Sequence, residues 1–151
     1  MQWLDKRGWP AMRTIIFGRS LGAAIGLEAA LHSPPAGLIM ESAFTSITAM
    51  GQHHYPLINR LLGWLIGAEY DNLKKISSLK SPLLLIHGKH DTICPPRMAE
   101  QLFTEAPAAK QLLWIPGAEH NNSFIVGAES YRQALRQAIV QWTGFATDSR
   151  L

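Results

Sequence analysis

Four short apolar runs recur along the chain, at Thr14 to Phe17, Gly37 to Met40, Pro82 to Gly88 and Gln111 to Ile115. Longer stretches with apolar residues at helical spacing lie between them. The first and third runs show polarity on neither face, which predicts strands buried on both sides of a parallel sheet. Helical patterns run from Leu21 to His32, ended by Ser33-Pro34-Pro35, and from Pro96 to Glu105, ended by Ala106-Pro107. A further amphipathic helix is predicted from Tyr55 to Ala68. The last runs from about Glu129 to Trp142 with Tyr131, Leu135, Ala138, Ile139 and Trp142 on one stripe. Gln2 to Arg7 reads as the closing turns of a helix stopped by Gly8 and Pro10, and the residues after Gly144 read as a frayed tail. Strands alternating with helices predict an α/β fold, a mostly parallel sheet of about four strands flanked by helices.

A length of 151 residues with 47% hydrophobic content suits one globular domain over residues 1–151. The net charge of +3 comes from scattered Lys and Arg with no basic run or aromatic interleaving, so nucleic acid is not an expected partner. Cys94 is the single cysteine, which excludes an internal disulfide and fits a reducing compartment, so a cytoplasmic location is expected. The longest apolar stretch, Pro56 to Ala68, is interrupted by Asn59 and Arg60, and no secretory leader pattern opens the sequence. Gly18, Gly22 and Gly26 have the spacing of a membrane-helix dimer motif, but Arg19 and Glu28 break the apolar run that it needs.

The candidate chemistry sits where strands end. Gly18-Arg19-Ser20-Leu21-Gly22 joins the first strand to an alanine-rich helix, a context in which G-x-S-x-G places a serine on a sharp, strained turn. Gly18 and Gly22 are expected to supply the room that such a turn needs. Asp91 follows the third strand, His120 the fourth, and Glu41 the second, so all fall at carboxyl ends, where open parallel sheets form their sites. A serine hydroxyl needs a base to take its proton, a histidine titrates in the right range, and a carboxylate holds the imidazole in the useful tautomer. Ser20, Asp91 and His120 are the candidate nucleophile, acid and base, with Glu41 the alternative acid. The plainer alternatives are a helix cap for Ser20, a cap at Pro95 for Asp91, and a loop histidine for His120. His87, His90 and Asp91 are too few for a metal site. Cys94 reads as apolar filler, and His53 and His54 as solvent or cap residues. The 53–70 segment is either a core helix or a cap over an apolar pocket.

The chain resembles the carboxyl-terminal half of an α/β-hydrolase-fold serine hydrolase, of the serine aminopeptidase-like or dipeptidyl-aminopeptidase/acylaminoacyl-peptidase-like subgroup. The matching stretches are F-G-R-S-L-G around Ser20, E-S-A-F-T-S from Glu41, Y-D-N-L-K-K-I from Tyr70, H-G-K-H-D from His87 and G-A-E-H-N around His120. The resemblance implies Ser20 as nucleophile, Asp91 as orienting acid, His120 as general base and acid, and the Leu21 backbone N–H as an oxyanion donor. It also implies hydrolysis of an ester, thioester or amide in a small-molecule or peptide substrate, with no metal or organic cofactor. Asn122 stands where the family often has an acidic residue. The strands that precede the nucleophile strand in the family have no counterpart here, so a truncated gene product, a late start on a longer reading frame or one part of a complementing pair is expected, with a bare edge on the first strand. The alternative function is therefore a catalytically impaired half-domain that acts as a subunit or interaction module. It would pair with a missing amino-terminal half or with itself through that edge. A membrane anchor on a longer native chain is compatible with this reading.

Overall fold

The computed structural model describes residues 2–55, 70–107 and 109–145. Its elements in chain order are α1 (Gln2–Asp5), a 3-10 turn (Ala11–Arg13), β1 (Ile15–Arg19), α2 (Leu21–His32), β2 (Gly37–Glu41) and α3 (Ile47–His54). There follow α4 (Asn72–Ile76), β3 (Leu83–Gly88), α5 (Pro96–Glu105), β4 (Lys110–Ile115), α6 (Ser123–Val126) and α7 (Ala128–Thr143). The possible cap, 53–70, falls almost wholly outside the described residues, as does the tail beyond residue 145.

All four expected strands form, in the order β1-β2-β3-β4 with every pairing parallel. Side chains alternate between the faces of a strand, and both faces of β2 and β3 are covered. Leu38, Met40, Leu83 and Leu85 pack with Ala23 and Leu27 of α2, Ile76 of α4 and Leu102 of α5. Ile39, Leu84 and Ile86 point the other way and pack with Ile115 and with Tyr131 and Ala138 of α7. The stripe read from α7 is thus its core face.

β1 departs from the expectation of burial on both sides, since Phe17 is 52% exposed. Among the described residues β1 pairs only with β2, so one of its edges has no strand beside it and the α7 side of Phe17 has little cover. α3 was not anticipated. Its apolar residues are few, and its start depends on Ser46, whose hydroxyl accepts the Ala49 N–H at 3.0 Å. Among the described residues no helix is long and apolar enough to cross a membrane.

The register sets the site. Arg19 lies beside Glu41 and Glu41 beside Ile86, while Gly88 lies beside Ile115, so the four strands end together and their exit loops share one side of the sheet.

Candidate active site

β1 stops at Arg19, and Ser20 turns the chain into α2 with φ 52° and ψ −118°, a combination that side-chain-bearing residues avoid. Its N–H donates to the Glu41 carbonyl at 2.9 Å, which ties the turn to the end of β2. The hydroxyl makes no capping bond to α2. It lies instead 3.1 Å from Nε2 of His120, a residue 100 positions away. His120 Nδ1 in turn lies 2.8 Å from Oδ2 of Asp91. Ser20, His120 and Asp91 are therefore brought into one line of hydrogen bonds.

Asp91 is buried, yet its carboxyl is held below the usual carboxylate range. Burial by itself pushes the group upward, and this is outweighed by the hydrogen bonds from His120 and from the Cys94 N–H. Oδ1 accepts the N–H groups of Ile93 at 2.9 Å and Cys94 at 2.8 Å, leaving Oδ2 for His120. Asp91 thus closes its own loop and does not cap α5.

The alternative acid, Glu41, is not brought to His120. Glu41 lies on the α7 face of the sheet, where its carboxylate accepts the Tyr131 hydroxyl at 2.8 Å. Burial and that carboxylate together push the Tyr131 phenol above its ordinary range. His87, His90 and Asp91 likewise do not converge as one set. His87 is buried on a backbone carbonyl, while His90 is exposed. His53 and His54, at the end of α3, contact the carbonyls of Thr92 and Ile93 in the Asp91 loop.

Several supporting residues carried no assigned role in the sequence reading. Ser42 is fully buried with φ 47°, and its hydroxyl donates to the His120 carbonyl at 3.2 Å. Arg19 donates to the Asn121 side chain, linking the serine turn to the histidine loop. Asn122 accepts the Glu119 N–H at 2.7 Å and folds that loop on itself. The signal for Ser42 was its place at a strand exit, and for Arg19 its place beside the serine turn. Their partners are distant in sequence and could not be read from spacing.

Cys94 fits the role of filler. It is fully buried beside Met98 and Phe44, and burial pushes its thiol up to about 12. Since the thiolate is the reactive form, the folded chain is expected to resist a thiol-alkylating reagent at neutral pH and to react on unfolding. Intact-mass kinetics with and without denaturant check this, and rapid modification of the folded chain would refute it.

A parallel sheet with a strained serine after a strand, an aspartate after β3 and a histidine after β4 can be compared with known proteins. The profile of the family described as serine aminopeptidase, S33 matches residues 68–124. The chain carries part of an α/β-hydrolase fold, and its residues 68–124 are similar to that family. An uncharacterized protein of Mycobacterium tuberculosis is 33% identical to it over 129 residues, covering 85% of this chain and 45% of that one. The Arabidopsis thaliana α/β hydrolase domain-containing protein WAV2 is 27% identical over 135 residues, covering 79% of this chain and 44% of its own. The chain therefore spans about half the length of these relatives. Among solved structures, a puromycin-hydrolyzing peptidase of Mycobacterium tuberculosis superposes with a TM-score of 0.76 at 18% identity, over 96% of this chain and 24% of that one. That likeness is one of fold. Within the α/β-hydrolase fold, the profile match includes the Asp91 and His120 loops and not Ser20.

Proposed function

We propose that this chain carries the catalytic serine, acid and base of a serine hydrolase that cleaves an ester, thioester or amide through an acyl-Ser20 intermediate. The observation that carries the reading is the line Ser20 Oγ, His120 Nε2 at 3.1 Å, His120 Nδ1 to Asp91 Oδ2 at 2.8 Å. With Asp91 accepting the Nδ1–H, Nε2 is left bare and can take the hydroxyl proton as Ser20 Oγ bonds to the substrate carbonyl carbon. His120 then delivers that proton to the leaving alkoxide, thiolate or amine as its bond to carbon breaks. Water then attacks the acyl carbon, donating a proton to His120, and that proton passes to Ser20 Oγ as the bond from Oγ to the acyl carbon breaks and the carboxylic acid leaves. Leu21 is the first residue of α2, and a first-turn N–H has no acceptor within its helix, so it suits the developing oxyanion.

The test is intact-mass detection of a fluorophosphonate adduct on the folded chain, with Ser20→Ala as control. One adduct, absent in the variant, is the expected result. A second reading, an interaction module without activity, is favoured by the edge of β1 that pairs with no strand among the described residues, where Phe17 is 52% exposed. A folded chain that takes no adduct and sediments as a larger species would support that reading over the first.

A further inference from the structure

His87, the penultimate residue of β3, is 1% exposed and stands edge-on to the Trp114 ring with centroids 5.9 Å apart. Nothing in the proposed reaction uses it. Its Nε2 lies 2.8 Å from the Cys94 carbonyl oxygen. A carbonyl can only accept, so Nε2 carries the hydrogen. Burial pushes the imidazole below its ordinary range, which favours the neutral ring. The same Nε2 is 3.5 Å from Asp91 Oδ2.

The peptide groups around Cys94 complete the connection. The Cys94 carbonyl is held by His87 and the Cys94 N–H is spent on Asp91 Oδ1. Oδ1 takes the Ile93 N–H as well, so the direction of Oδ2 follows from the placement of this short loop. His87 is a side-chain anchor from the sheet interior to that loop, and β3 is paired on both sides. We propose that His87 is a positioning residue, whose Nε2–H on the Cys94 carbonyl holds the Asp91 loop so that Oδ2 stays aimed at His120 Nδ1. The inference rests on the acyl-serine reading for its catalytic consequence, though the hydrogen-bond geometry that it concerns does not require turnover.

The test compares His87→Gln with His87→Asn in the full chain. The glutamine amide nitrogen reaches the place of Nε2 and keeps the donor, whereas the asparagine amide ends near the place of Nδ1, short of Cys94. Two readouts are taken: the rate of fluorophosphonate labelling of Ser20, and the low-field proton resonance of the hydrogen bond between His120 and Asp91. A misplacement near 1 Å in a reacting constellation costs on the order of 10²-fold, so H87N is expected to label roughly 10- to 100-fold more slowly and to lose the resonance. H87Q is expected to keep the resonance and stay within about threefold of the parent rate. H87N labelling as fast as the parent, or H87Q failing as badly as H87N, would overturn the proposal. If the parent takes no label, the acyl-serine reading fails and the resonance alone decides the positioning role. If neither variant folds, the nitrogen-15 spectrum of the parent decides: an Nε2–H tautomer at His87 is expected, and an Nδ1–H tautomer sinks the idea.

Discussion

Asp91→Asn is expected to slow fluorophosphonate labelling of Ser20 by about 10⁴-fold while leaving the chain folded. The reason lies in how the two carboxylate oxygens are used. Oδ1 accepts two backbone N–H groups, from Ile93 and Cys94, so an amide placed here keeps its oxygen on that side. The NH₂ group must then face His120 Nδ1, where Oδ2 now stands at 2.8 Å. Nδ1 can meet that donor only as an acceptor, which moves the imidazole hydrogen to Nε2. His120 would then present a hydrogen to Ser20 Oγ and could not take its proton. The variant should retain its fold because both backbone bonds survive. A measured loss below about tenfold would mean that His120 obtains its tautomer from another partner.

Gly18→Ala is expected to destabilise the chain by about 3 kcal/mol, the upper end of what overpacking costs, and Gly22→Ala is not. A Cβ on Gly18 would lie 2.1 Å from the Gly22 carbonyl oxygen and 2.8 Å from Cα of Ala23. Both are backbone atoms of the first turn of α2, which cannot yield without displacing the helix start that follows Ser20. A Cβ on Gly22 has no atom of the described residues within 4 Å. The sequence reading asked both glycines to make room for the turn; the close approach needs Gly18 alone. Alanine at 22 also restricts the unfolded chain and favours helix, so a gain of roughly 0.5–1 kcal/mol is expected there. Thermal or denaturant melts of the two variants check the contrast, and equal losses would show that the turn is tight on both sides.

Much of this fold is legible in the sequence. Local composition was sufficient for the strands, because β2 and β3 are apolar on both faces and only a doubly covered parallel sheet can bury them. The same local logic placed α2, α5 and α7 to within a residue or so, since each has a clear apolar stripe or a Pro-marked end. Ser20, Asp91 and His120 were legible as candidates because each follows a strand, and parallel strands in one sheet deliver their carboxyl ends to one side. α3 escaped because its start rests on the Ser46 cap and its apolar spacing is weak.

Tertiary structure alone decided which carboxylate faces the histidine. Glu41 and Asp91 both end strands, but the alternation of side chains along β2 turns Glu41 to the α7 face and the hydroxyl of Tyr131. The loop closed on Asp91 Oδ1 turns its other oxygen to His120. Ser42 at the His120 carbonyl and His87 at the Cys94 carbonyl belong to the same class of decision. Residue type and spacing carry the direction of a side chain only within one element. Which distant carbonyl or carboxylate it meets depends on strand register and on the loops that the register brings together, and those are properties of the folded sheet.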